Sequence, residues 1–418
     1  MNKTVKILAI ASFFVILLVA CSKKSTKANN NKDSGNQKLE AKKNSSAEKK
    51  NAQNKLFDIP ESPASDFSYE LSDDNSGVKI TAYKGGANCR IPAEIEGMPV
   101  TEIADRAFYD KNNIVVLVMP DTIKKVGEYS ISSKSVKAVK LSSSLSAIGN
   151  HMFSYCESLE EITIPESVTT IEEDAFSPSG LKSIYIPDTV KEIQEDAFAS
   201  CKSLSNVRLP STLKILPVGI FSVCKSLESI DLPNGITEIG GQAFYCCESL
   251  SSLKIPETVT KIGYLAFNGC KSLTSLTIPN SVTSIGKNAF GEAQNSFDEC
   301  GLKSLDIPNS VTKLEECTFC SCKSLEKLHL PDSLEVIPNN IFPISLQSVN
   351  IPASTKKIKG RAFRDMKNLT ELIIPDSLTK IEFEISEGAM RNFEGTNLNL
   401  ASQKRLKDLG YNGKFSSK

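Results

Sequence analysis

Twelve cysteines and two histidines carry most of the reactive chemistry in this 418-residue chain. Thiols can pair as disulfides, bind zinc or act as nucleophiles, and imidazoles can ligate metals or move protons. The densest grouping is Cys317, Cys320 and Cys322, a C-x-x-C-x-C run. A zinc site there would need a fourth ligand, with the sulfurs facing one point. His329, on a following strand, is the imidazole that could approach, and no metal site is expected. A different regularity governs Cys156, Cys201, Cys224, Cys247, Cys270 and Cys322. Each lies 14 residues after a proline or, for Cys156, after Ser142. Met366 fills the same slot after Pro352, so the slot accepts an apolar group. These six are expected to form a buried column of free thiols, acting as small hydrophobes with weak donors. Cys246, beside Cys247, falls outside the column and is expected to be partly exposed. Without Cys21, eleven cysteines remain, and an odd number cannot all pair internally.

The element that positions these residues is a repeat. Prolines at 92, 120, 165, 187, 210, 233, 256, 279, 308, 331, 352 and 375, with Ser142 filling one gap, mark 13 coils, mostly 22 or 23 residues apart. In the coil that starts at Leu181, the pattern L-x-x-I-x-I places Ile184 and Ile186 on one strand face and Ser183 and Tyr185 on the other. Pro187 cannot donate to a continuing ladder and ends the strand. Val190, Ile193, Ala197-Phe198 and Cys201 follow, and the same offsets recur coil after coil. Phe holds its column eleven times, at 108, 153, 176, 198, 221, 244, 267, 290, 319, 342 and 363. A unit this short cannot bury its own apolar face, but stacked units cover one another. The fold class expected is an α/β-type solenoid of about 13 coils. It has a parallel β-sheet on one face, a mostly irregular or short helical outer face, and a stack of Phe rings opposite the strands. His151 and His329 then lie about eight coils apart and cannot share a site. No His-Glu-x-x-His or phosphate-cradling glycine loop occurs. Acidic pairs such as Glu172-Glu173 fall on an outer turn. No catalytic residue and no cofactor are expected.

The motif LxxIxIPxxVxxIxxxAFxxC resembles the leucine-rich repeats of the BspA-like bacterial surface antigens over residues 65–395. The opening FSYELSDDNSGVKITAYKGGANCRIP is similar to that family's N-terminal entry, with strands expected at 67–71 and 78–82 around a polar turn at Asp73–Gly77. The resemblance implies a curved solenoid, often attached to the cell surface, that binds host or neighbouring-cell proteins. The chain departs from the pattern where Ile131 replaces Phe, and again after residue 383. There NLASQKRLKDLGYNGKF reads as a capping helix near 400–409, stopped by Gly410. A cap is needed because an open solenoid end can pair with another chain.

The N-terminus reads as an export signal. Lys3 and Lys6 precede an apolar run from Ile7 to Ala20, which is short for a membrane span. It ends in Leu18-Val19-Ala20-Cys21, which resembles a bacterial lipobox with Cys21 as the lipidated residue. Residues 22–56 hold ten Lys and three acids, whereas 57–418 hold 37 basic and 46 acidic residues. The first balance, +7, fits a disordered tether. The second, −9, argues against nucleic-acid binding. The expected organisation is a signal peptide at 1–20, a lipidated Cys and tether at 21–56, a β-rich cap at 57–91, the solenoid at 92–382 and a C-terminal cap at 383–418.

A partner is expected on the strand residues that point away from the core. Thr163, Tyr185, Arg208, Asp231, Lys254, Thr277, Asp306, His329, Asn350 and Ile373 form one column, varied in character where the core columns are uniform. Tyr185, Arg208, Asp231, Lys254 and His329 are its candidate contacts, with Tyr185 and Arg208 favoured as anchors by residue type. The segment 291–300, with Phe297, is a second candidate surface. The expected partner is an extracellular-matrix or bacterial surface protein, and the lipid anchor supplies the membrane contact. The function expected is non-catalytic protein binding in adhesion at the outer cell surface. A periplasmic scaffold lipoprotein with the same fold, and an enzyme, are the competing readings.

Overall fold

The computed structural model describes residues 55–110, 113–291, 300–383, 393, 396–413 and 415. The expected signal peptide, Cys21, the tether up to residue 54 and Phe297 lie outside them.

The chain from residue 56 winds as a β-solenoid whose coils repeat one path. In the coil at 181–203, the strand Ser183–Tyr185 buries Ile184 and exposes Tyr185. It pairs in parallel with Asn206–Arg208 of the next coil. Pro187 then opens a turn, and its carbonyl accepts the Val190 N–H at 3.1 Å. The other coil-marking prolines from 120 to 375 do the same with the residue three positions on. Ser142 substitutes for it, accepting the Leu145 N–H at 3.4 Å.

After this turn the structure adds a second parallel ladder that the sequence pattern does not announce. Two-residue strands such as Glu192–Ile193, Glu238–Ile239 and Lys261–Ile262 stack in register, with each isoleucine buried. A turn carrying the Phe column closes the coil. Residues two before and two after Phe hold left-handed backbone in most coils, including Asp196 (φ 54°), Ser200 (φ 59°), Gly219 (φ 64°) and Val223 (φ 62°). Asp196, Phe198 and Ser200 each donate their N–H to a carbonyl of the next coil, at 3.0, 3.2 and 2.6 Å. The paired left-handed residues keep these alternate N–H groups aimed along the stack, so the outer turns are hydrogen-bonded from coil to coil as well.

The core is a set of columns. Phe153, Phe176, Phe198, Phe221, Phe244, Phe267, Phe290 and Phe319 are stacked successively, with ring centroids 5.2–6.0 Å apart. Offset stacks of this kind contribute beyond their buried area. Ile131 fills the slot in its coil and is fully buried.

Both ends are closed. Phe67–Leu71 and Val78–Tyr83 form the expected hairpin, and Val78–Tyr83 pairs with Met98–Ile103. The Tyr83 ring covers Phe108 at 5.7 Å. At the far end the helix Leu400–Asp408 is N-capped by Asn399, which accepts the Ser402 N–H at 2.8 Å. The Ser402 hydroxyl accepts the Leu372 N–H at 3.0 Å, satisfying an edge that would otherwise be free to pair. Arg405 donates to the carbonyls of Pro375 and Leu378 at 3.2 and 2.7 Å.

Candidate protein-binding face

The alternation of the first ladder fixes which side chains face outward. Tyr185, Asp231, Lys254 and His329 are exposed, as are Thr163, Thr277, Asp306, Asn350 and Ile373. The parallel register brings Tyr185 beside Arg208, Asp306 beside His329 and Asn350 beside Ile373. Asp231 and Lys254 follow directly on the paired strands Ser229–Ile230 and Ser252–Leu253. A groove of about 650 Å³ runs along Thr277, Asp306 and His329. A second, of about 610 Å³, lies between Arg208 and Asp231.

Arg208 differs from the others because its donors are already engaged. It is half-buried, lies over the Tyr185 ring, donates to the Ile186 carbonyl at 2.8 Å and pairs with Asp188 at 2.7 Å. Arg208, with the Ser211 N–H beside it, holds the Asp188 carboxyl down at about 2. Tyr185 and Arg208 therefore form one preassembled unit.

The six column cysteines are all fully buried and unpaired as disulfides. Each thiol donates to a carbonyl of the preceding coil. Cys201, Cys224, Cys247, Cys270 and Cys322 reach Phe176, Phe198, Phe221, Phe244 and Phe290 at 3.1–3.3 Å, and Cys156 reaches Ile131 at 3.3 Å. Burial pushes the Cys156 thiol up to about 12 and Cys201 to about 11, which keeps both protonated. Cys300, fully buried, occupies the place that Ser179 takes five coils earlier, next to the following column thiol. Cys246 corrects the sequence reading: it is buried, 8% exposed, because Gly269 of the next coil lacks a side chain that would collide with it. Cys322 turns into the core while Cys320 turns toward the Gly291 carbonyl, so the C-x-x-C-x-C run does not face one point. Among the described residues no three His, Cys, Asp or Glu side chains are grouped to hold a metal ion.

His151 belongs to a cluster that sequence reading missed. Its ring stacks on Tyr129 at 4.3 Å, and Tyr129 meets the Tyr109 ring edge-on at 6.2 Å. Arg106 lies 5.6 and 5.5 Å from the two tyrosine centroids. Burial, then the nearby Glu128 charge, raises the Tyr129 phenol. The signal available was position: Arg106, Tyr129 and His151 each stand two residues before the Phe column or its Ile131 substitute. Glu172 is tied to the Asn150 N–H at 2.8 Å, a coil-to-coil contact.

Stacked parallel coils with buried Leu, Ile, Phe and Cys columns define a leucine-rich repeat solenoid. The chain belongs to the BspA type leucine-rich repeat family, whose six-copy repeat region matches residues 87–205, 191–295 and 293–405. No curated protein matches the chain. Among solved structures, a leucine-rich repeat protein from Bacteroides ovatus is 25% identical, with a TM-score of 0.66 over 86% of this chain and 99% of that one. The pneumococcal vaccine antigen PcpA is 18% identical, with a TM-score of 0.52 over 79% of this chain and 98% of its own, a likeness of fold.

Proposed function

We propose that this protein is a non-catalytic lipoprotein of the bacterial cell surface that binds proteins through the outward column of its first ladder, in adhesion to host or neighbouring cells. The observation that carries the reading is the contrast between columns. Core positions repeat the same few residue types, whereas the outward positions run Thr, Tyr, Arg, Asp, Lys, Thr, Asp, His, Asn and Ile along stacked coils whose strands pair in parallel with a neighbour. A rigid array of varied, exposed side chains can grip an extended protein surface with little ordering cost. Membership of a bacterial surface-repeat family supports the binding role, and Leu18–Cys21 supports the lipid anchor.

Two measurements test this. Protease treatment of intact cells, with a periplasmic marker as control, should digest the protein and spare the marker. Protection until lysis would move it to the periplasm and defeat the adhesion reading. The full chain should then bind at least one member of an extracellular-matrix and bacterial surface protein panel, with affinity reduced in Tyr185→Ala. Binding to none would remove protein capture.

A further inference from the structure

Cys317 and Cys320 stand apart from the column thiols, and the coil frame explains how they meet. In the coils of the Phe column other than that of Phe342, which Pro343 follows, the residue two before Phe and the residue one after it bracket a four-residue turn. The later N–H donates to the earlier carbonyl, at 3.0 Å for Tyr109 to Arg106, 3.0 Å for Ser154 to His151 and 3.4 Å for Cys320 to Cys317. Such a turn holds its end Cα atoms within about 7 Å, which overlaps the roughly 4.4–6.8 Å span of a disulfide.

The side chains at these two positions also meet across the turn. Arg106 lies over the Tyr109 ring at 5.6 Å, and His151 Nδ1 is 3.2 Å from Ser154 Oγ. The coil at 310–331 places two thiols in the same relation. Cys317 lies within hydrogen-bonding reach of the Cys320 sulfur, and this contact, then burial, raises the Cys320 thiol.

Access separates Cys320 from the other described cysteines. Cys320 is half-buried, whereas Cys201, Cys224, Cys247, Cys270, Cys300 and Cys322 have no exposed surface. Cys300 and Cys322 also touch, but both are sealed in the core.

We propose that Cys317 and Cys320 form a redox site that closes to a disulfide by exchange with low-molecular-weight disulfides and reopens with thiols. The hydrogen-bonded pair first loses one proton, and Cys320, the more accessible, then attacks one sulfur of the incoming disulfide as its own proton passes to Cys317, the other half of the reagent leaving as a thiolate. Cys317, deprotonated, then attacks the Cys320 sulfur of the mixed disulfide and expels the remaining half. The protein loses two hydrogens and two electrons, and the reagent gains them as two thiols.

The test uses the full-length protein, incubated folded with oxidised glutathione at mildly alkaline pH, then freed of reagent, denatured, alkylated, digested with trypsin and sequenced by mass spectrometry. Cys317, Cys320 and Cys322 share the peptide Leu314–Lys323. The expected product has only Cys322 alkylated and is lighter by two hydrogens between Cys317 and Cys320. Dithiothreitol should restore three alkylations. Cys322→Ser should keep the linkage, and Cys317→Ser should convert it to a glutathione adduct on Cys320. The Cys247 peptide, unmodified before alkylation, reports that the fold stayed closed. Three alkylated cysteines in the oxidised wild type, a stable glutathione adduct without closure, or loss of the linkage in Cys322→Ser would each overturn the proposal. Fragment assignment in the wild type decides it even where a variant fails to fold.

Discussion

The Arg208 guanidinium lies 4.7 Å from the centroid of the Tyr185 ring, one coil away, while bonding to Asp188 at 2.7 Å. The parallel register makes this possible, because equivalent residues of successive coils lie about 4.8 Å apart. Arg208 is held by three groups at once, and Tyr185 keeps 57% of its surface exposed. The two residues chosen by type as anchors therefore differ in role. Tyr185 offers the contact surface, and Arg208 fixes its orientation.

Replacing Tyr185 by Ala should accordingly leave stability within about 0.5 kcal/mol of the wild type, as for most surface changes. Its effect should appear in partner binding. Arg208→Ala should weaken binding less than Tyr185→Ala, and the double variant should lose less than the sum of the two. A double-mutant cycle on a captured partner measures this coupling. Additive losses would mean that the two residues act separately.

Phe221→Ala should destabilise the solenoid by about 3–5 kcal/mol, the usual cost of emptying a fully buried Phe site. The ring lies 6.0 Å from both Phe198 and Phe244, so two stacking partners are lost together. Phe221→Ile should cost less, because Ile131 fills the equivalent slot of its own coil without exposure. Urea denaturation of the two variants checks the order. Equal losses would show that ring stacking, rather than filled volume, dominates the column.

Much of this architecture was legible in the sequence because the same residue types recur at the same offsets. The Phe column, the thiol column and the equivalence of Ser142 to proline all follow from counting. The second ladder did not, since a strand of two residues such as Glu192–Ile193 shows no alternation to read. The burial of Cys246 depends on a missing side chain one coil later, at Gly269, and the Tyr129–His151 stack depends on left-handed turns. Both are relations between coils that composition within one coil cannot display. The outward column was legible as a position, but the engagement of Arg208 with Asp188 was not.

Asp196 should make stability depend on pH. Burial raises its pKa above the usual value, and the charges of Asp174, Glu195 and Glu173 add to the effect. An acid with a raised folded pKa binds its proton more tightly when folded. Its ionisation therefore costs stability as pH rises through the interval between the unfolded and folded values. Asp196→Asn should raise the thermal midpoint at pH 7, and this advantage should fade as pH falls below the unfolded carboxyl value of about 3.9. Thermal scans of both proteins across that range test the sign. An advantage constant with pH would assign the gain to backbone preference alone, since Asn also suits the left-handed conformation at this position.

Val223 presents the complementary case, a β-branched residue held at φ 62°. Left-handed backbone costs an ordinary L-residue roughly 1–2 kcal/mol, and branching at Cβ makes the strain worse. Its N–H nevertheless donates to the Tyr245 carbonyl at 2.6 Å, so the coil-to-coil bond enforces the conformation. Asn tolerates this region and keeps the donor. Val223→Asn should therefore stabilise the protein by about 0.5–1 kcal/mol, part of the strain being offset by lost contacts of a half-buried side chain. The reverse change one coil earlier, Ser200→Val at φ 59°, should destabilise by a similar amount, because the frame is the same and only the residue differs. Chemical denaturation midpoints of the two variants should move in opposite directions. If both fell, packing of Val223 against its neighbours would outweigh its backbone strain.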